Sequence, residues 1–122
     1  MGDRGSISIS GKEAGPVLFR HWGGSPEAMM ELAEAVRRAI GRHKRTASAS
    51  SDPYTRGEPD AIFALVVRLA VETDGDSAYV GVDMEDGDSS DNGHYVLDPQ
   101  TFELEHEGVV IRISTREKKE RR

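Results

Sequence analysis

Residues 16–40 read PVLFRHWGGSPEAMMELAEAVRRAI, and the change of period within this stretch decides the fold class. Pro16 to Trp22 is short and mostly apolar. It opens on a proline, which has no N–H to give a ladder and so suits the first position of a strand. Gly23-Gly24-Ser25-Pro26 then breaks the pattern. Ser25 is placed as an N-cap, and Pro26 takes the first helical position, where a missing N–H costs nothing. Glu27 sets a carboxylate against the positive end of the helix dipole. Beyond it Met29, Leu32, Ala33, Val36 and Ile40 recur at helical spacing. Glu31, Glu34, Arg37 and Arg38 occupy the other side, with Glu34 four residues before Arg38. Gly41 marks the expected stop.

Working outward, Ser6 to Ser10 alternates serine with Ile7 and Ile9, the period of a strand with one apolar face. The turn at Gly11 to Gly15 pairs it with the Pro16–Trp22 strand as a hairpin. On the other side, residues 42–57 are polar and serine-rich and predict an exposed loop. Pro59 opens a second helix to about Thr73, apolar around most of its circumference and expected to be the most buried element. Ala78–Val82 and His94–Asp98 read as two strands joined as a hairpin, with Asn92-Gly93 in the left-handed turn positions. Phe102 and Leu104 mark a short strand, Glu107-Gly108 a turn, and Val109–Ile113 the last strand. The order is ββααβββ(β). It predicts an α+β domain over residues 1–115, with an antiparallel sheet of four to five strands and two helices on one face. Residues 116–122 form a charged C-terminal tail.

Composition sets the outer limits. A chain of 122 residues with 36% hydrophobic residues can close one core without staples. It contains no cysteine, which excludes disulfides, thiol catalysis and thiolate zinc sites. No apolar run reaches membrane-spanning length, and the start lacks the apolar core of a secretory signal, so no membrane contact and a cytoplasmic location are expected.

The formal charge of -6 conceals an asymmetry. Between Arg68 and Arg112 there is no lysine or arginine and there are twelve carboxylates. Arg37, Arg38, Arg42, Lys44 and Arg45 cluster at the end of the first helix, and Arg116, Lys118, Lys119, Arg121 and Arg122 lie in the tail. A hydrated surface is the plain reading. Nucleic-acid contact would run through the basic clusters, but the acidic balance and scarce aromatics speak against it. A protein partner or a homodimer is the reading carried forward.

Motifs for chemistry mostly fail. Trp22-Gly23-Gly24-Ser25-Pro26 resembles a nucleophile elbow, yet it lacks the following glycine, and Pro26 has no N–H for an oxyanion. No dinucleotide or P-loop fingerprint occurs, and no cofactor is expected. The string 83–93, DMEDGDSSDNG, matches an EF-hand loop at Asp88, Ser90, Asn92 and Gly93. Pro99 then stands where the bidentate glutamate belongs. A non-EF cation site at Asp83, Asp86, Asp88 and Asp91 remains as a candidate. His21 and His94, with Arg20 and nearby Asp98, are the candidate catalytic groups, should their strands be neighbours. Arg20, His21, Trp22, Arg42, Lys44 and Arg45 are the candidate binding residues. Arg20 is also expected to clamp a carboxylate from the 83–91 turn or the long loop.

The stretch Phe19 to Pro26 resembles a family of small uncharacterised bacterial, archaeal and phage proteins. There an early strand ends in Tyr-Arg-His-x-Asp-Gly-Tyr-Pro and enters a helix. Arg20, His21, Gly24 and Pro26 match; Phe19 replaces the first tyrosine, Gly23 the aspartate and Ser25 the second tyrosine. A looser likeness extends over residues 15–98. The resemblance implies a shared architecture and a bacterial or mobile-element setting, with no assigned activity. The missing aspartate removes one member of an Arg-His-Asp trio. The residues lead to a small non-catalytic binding or interaction module. The alternative is a small hydrolase or metal-dependent enzyme centred on His21, Arg20 and His94.

Overall fold

The structure is a computed structural model that describes residues 2–11, 15–46 and 52–111. Among the described residues, six strands and three α-helices follow in the order β1 (Gly5–Ile9), β2 (Val17–Arg20), α1 (Pro26–Thr46), α2 (Pro53–Arg56), α3 (Pro59–Asp74), β3 (Ala78–Gly81), β4 (His94–Leu97), β5 (Leu104–His106) and β6 (Val109–Ile111). The sheet runs β3-β2-β1-β4-β5-β6. The α+β class and the order of the main elements agree with the sequence. The expected tail, 116–122, lies outside the described residues.

The sheet is mixed where an antiparallel one was expected. β1 pairs with β2 antiparallel through Ile7 and Leu18, but with β4 in parallel through Ile7 and Tyr95. β3 and β4 are not a hairpin: β3 lies on the outer side of β2, with β2 and β1 between it and β4. The reason lies in residues 82–93, which form a crossover strap across one face. A 3-10 turn at Met84–Asp86 is closed by Asp83 accepting from the Glu85 N–H at 2.9 Å. Gly87 then lies flat on the Phe19 ring, where a Cβ would come within 2.6 Å of ring carbons. Of the expected left-handed pair at the end of this segment, only Gly93 has positive φ (87°).

Helix limits also move. Ser25 caps α1 as expected, accepting from the Ala28 N–H at 3.2 Å. Gly41 does not stop the helix, which continues to Thr46. A glycine inside a helix costs only about 1 kcal/mol relative to alanine, too little by itself to end one. Within the expected 42–57 loop the short α2 forms instead. Asp52 accepts from the Tyr54 N–H (3.2 Å) and the Thr55 hydroxyl (2.8 Å), and Gly57 at φ 72° ends it.

One core lies between the sheet and α1 with α3. Ile7, Ile9, Leu18, Tyr95, Leu97 and Leu104 point into it from the strands, against Met29, Leu32, Val36 and Ile40 of α1 and Ile62, Leu65, Val66 and Ala70 of α3. Contrary to expectation α1 buries more of its length than α3, whose Phe63, Val67 and Leu69 are half-buried and whose Val71 is exposed. The wide apolar face of α3 exceeds what the sheet can cover.

Candidate functional site

Register places the candidate residues. Gly5 faces Arg20, Ser6 faces Phe19 and His94, and Ile7 faces Leu18 and Tyr95. Strand side chains alternate, so Arg20 points to the helix face while Ser6, Phe19 and His94 share the opposite one. The sheet therefore stands between Arg20 and His94.

On the helix face Arg20 is almost fully buried. Its Nε donates to Asp74 Oδ2 at 2.6 Å and its Nη2 to Asp74 Oδ1 at 2.9 Å, a two-pronged pair whose side chains are 4% and 6% exposed. A third donor, Nη1, reaches the Ala28 carbonyl at 3.4 Å. The clamp expected for Arg20 thus exists, but its carboxylate comes from the end of α3, not from the 83–91 turn. Beside it a shallow groove between α1 and α3 is lined by Arg20, Glu31, Leu32, Leu69, Glu72 and Thr73.

On the opposite face the serines of β1 and His94 form a polar ladder. Ser6 Oγ lies 2.7 Å from His94 Nδ1 and Ser8 Oγ 2.9 Å from His94 Nε2. Met84 Sδ, from the strap, accepts from the Ser6 hydroxyl at 3.8 Å. A neutral imidazole has one donor and one acceptor nitrogen, so one serine donates to it and the other accepts. Burial lowers the His94 pKa and favours that neutral ring. Ser6 and Ser8 are themselves buried, at 0% and 1% exposure. The ladder is chemically a serine–histidine pair, but its hydroxyls are closed to solvent.

His21 lies just past β2. Its N–H donates to the Ser77 carbonyl (3.1 Å), its carbonyl accepts from the Asp3 N–H (2.8 Å), and its ring meets Trp22 edge-on at 4.6 Å. The ring also packs on the backbone of Gly2, where a Cβ would come within 2.8 Å of Nε2. Trp22 is exposed. Arg42 is exposed near the far end of α1, and Lys44 and Arg45 belong to its last turns. Arg20, Trp22 and His94 do not converge on one cavity among the described residues.

The four aspartates of the strap are engaged in two pairs, Asp83 with Asp86 around the 3-10 turn and Asp88 with Asp91 on Arg4. Asp83 and Asp86 hold backbone N–H groups of the 3-10 turn, and Asp86 accepts from the Val82 N–H at 2.6 Å. Asp88 accepts from the Ser90 N–H, and Asp91 from the N–H and Nε of Arg4. The Ser90 hydrogen bonds hold Asp88, and the Arg4 hydrogen bonds hold Asp91, below the usual carboxylate range. Among the described residues no group of three or more histidines and carboxylates is arranged for a metal ion.

What sequence reasoning missed are Asp74, Ser6, Ser8 and Met84. The Ser-Ile-Ser-Ile-Ser alternation did mark the serines as one face of a strand, but not that β4 and the strap would cover them.

Among the described residues the outer edges of the sheet carry most of the exposed large apolar side chains. Tyr79, Val80 and Val82 are exposed on and beside β3, and Val109 and Val110 on β6. Among the described residues no helix is long and apolar enough to cross a membrane. Comparison with protein-family models, with curated proteins and with solved structures finds no match. The likeness of the Phe19–Pro26 junction to the bacterial and phage family rests on those residues alone.

Proposed function

We propose that this chain is a small non-catalytic interaction module that takes an extended segment of a partner protein along the outer edge of β3. The observation that carries the reading is the state of that edge. His21 donates to the Ser77 carbonyl, which sets the phase of the β2–β3 ladder and turns the peptide group of Val80 outward. No strand lies there among the described residues, and Val80 is 49% exposed. An open apolar edge is a template for strand addition and is ordinarily protected by charge, proline or a covering element. Here Asp76 precedes the strand and Asp83, Glu85 and Asp86 follow it, all exposed. That pattern suits a partner segment with β-branched residues at its centre and lysine or arginine at its ends.

Selection from a displayed library of unstructured peptides tests this. Enriched sequences should alternate valine, isoleucine or threonine between basic flanks, and Val80→Lys should abolish their retention. An unbiased output, or one that Val80→Lys leaves unchanged, overturns the proposal.

The hydrolase reading keeps one observation, the bonding of two serine hydroxyls to His94. A fluorophosphonate probe that labels the native chain but not Ser8→Ala would support it. The proposed module predicts no labelling.

A further inference from the structure

We infer that Met84 is a site of peroxide oxidation that switches the strap: its thioether ties the 3-10 turn to the buried Ser6–His94–Ser8 ladder, and conversion to the sulfoxide releases that tie. The chain has no cysteine, so methionine supplies all of its sulfur. Met84 is 41% exposed, whereas Met29 is fully buried against Arg20 Nη1 and Met30 is half-buried. The Met84 side chain stands between solvent and Ser6, whose Oγ lies 3.8 Å from Sδ. Asp83 and Asp86 hold backbone N–H groups of the turn itself, so the hydrogen bond from this turn to β1 runs through Met84.

The direction of each hydrogen bond gives that contact its weight. A thioether sulfur carries no hydrogen and can only accept, so the single Ser6 hydroxyl proton goes to Met84. Ser6 Oγ then accepts from His94 Nδ1–H at 2.7 Å, and Nε2, left without a proton, accepts from the Ser8 hydroxyl at 2.9 Å. The chain of donation runs from Ser8 to His94 to Ser6 to Met84, and every proton in it has an acceptor. Among the described residues no buried side-chain nitrogen or oxygen lacks a partner. Without the sulfur the ladder holds three protons to donate and two acceptors to take them beside the one the imidazole proton fills in Ser6 or Ser8. One serine hydroxyl proton is then stranded at a buried position, whichever nitrogen of His94 is protonated, and a stranded buried donor favours the entry of water.

Hydrogen peroxide is the oxidant. The sulfur attacks one peroxide oxygen, an S–O bond forms as the O–O bond breaks, and the hydroxide released takes the proton left on the transferred oxygen and departs as water. The thioether is oxidised to a sulfoxide and the peroxide is reduced. The product is polar, bulkier than the thioether and reducible by sulfoxide reductases, so the change is reversible. At 3.8 Å there is no room for an added oxygen between Sδ and Ser6 Oγ. The new S–O group turns outward to water or drives the turn off β1, and in both cases the Ser6–Met84 bond ends. Leucine fills nearly the volume of methionine and has no sulfur to oxidise, which makes Met84→Leu the informative variant.

Mild hydrogen peroxide treatment of the full chain tests the inference, with mass spectrometry locating each added oxygen. Met84 should be oxidised about tenfold faster than Met29, or more. A glutamate-specific protease then reads the strap, because Glu85 lies in the turn and is exposed. Chain oxidised at Met84 should be cut at Glu85 about tenfold faster than untreated chain, which corresponds to a tenfold larger open population of the strap. Treatment with methionine sulfoxide reductase should restore the original rate. Met84→Leu should be cut at one rate before and after peroxide, with circular dichroism reporting the fold. Nitrogen-15 shifts of the His94 ring in the untreated chain should show the proton on Nδ1. Equal oxidation of Met84 and Met29 overturns the inference, as does an oxidised Met84 that leaves cleavage at Glu85 unchanged. A peroxide response that persists in Met84→Leu, or a proton on Nε2 in the untreated chain, overturns it as well. None of these outcomes bears on whether β3 binds basic peptides, which the peptide selection decides separately.

Discussion

The two faces of the sheet are closed by different means. The helix face is covered by two long helices, and its buried Arg20 is matched at two points by Asp74. The other face is covered in part by a strap of polar and glycine residues. One glycine lies on Phe19 and one methionine touches Ser6. Helices bring enough apolar surface to build a core and enough order to hold an ion pair out of water. A strap brings little apolar surface, so the strands beneath it supply their own closure through the Ser6–His94–Ser8 ladder and the stacking of Phe19 on Tyr79 at 5.3 Å.

The largest expected difference between the faces comes from the ion pair. Arg20→Ala leaves the Asp74 carboxylate buried without a counter-charge, which costs about 3–5 kcal/mol. Urea denaturation of the variant should show that loss, with Arg20→Lys recovering part of it because an ammonium cannot make both bonds at once. Arg20→Met with Asp74→Leu should restore most of the stability, since replacing both partners by packed apolar side chains is often neutral. If Arg20→Ala costs under about 1 kcal/mol, a value typical of exposed pairs, the pair is not buried in solution.

How much of this was legible depends on the range of the interactions involved. Ser25-Pro26, the 26–40 periodicity and the Glu107-Gly108 turn are local signals, and each produced the element it announced. Arg20–Asp74 joins residues 54 apart in the chain, and the ladder joins β1 to a strand nearly 90 residues later. No spacing rule reaches that far. The parallel β1–β4 pair was hidden for a specific reason. Strap residues such as Asp83, Gly87 and Gly93 carry the same turn chemistry as a hairpin loop, and the contacts of Gly87 with Phe19 and of Met84 with Ser6 show that the chain crosses the face. The sequence groups His21 with His94 because both fall in strands expected to lie centrally, and the register alone separates Arg20 from His94.

A smaller effect is expected from the strap. Gly87 has an ordinary extended backbone (φ −150°), so its requirement is steric and not conformational. Gly87→Leu would drive a side chain into the Phe19 ring and lift the strap, at about 1–3 kcal/mol by the usual cost of overpacking. Limited proteolysis should then cut within residues 82–93 well before the native chain is cut. If the variant is as stable and as resistant as the native chain, the strap does not rest on Phe19, and the contrast between the faces fails.

The smallest effect is a pH dependence confined to the strap face. His94 is neutral where it is buried, and its pKa lies below the ordinary 6.5 of an exposed histidine. Above that value the ring is neutral in both folded and unfolded chains and pH has no leverage through it. As pH falls below 6.5 the unfolded chain takes up a proton that the folded chain resists, so stability falls until the folded-state pKa is passed. Carboxylates that lose their native partners in acid add a background. The informative quantity is therefore the difference between the native chain and His94→Gln, whose amide can still bridge two hydroxyls without titrating. The melting temperature of the native chain should drop further than that of His94→Gln between pH 7 and 5. Parallel curves would mean that the imidazole is solvated and the ladder open. That result would also reopen Ser8 as an accessible hydroxyl and with it the hydrolase reading, because the closure that separates a structural ladder from a working one would be gone.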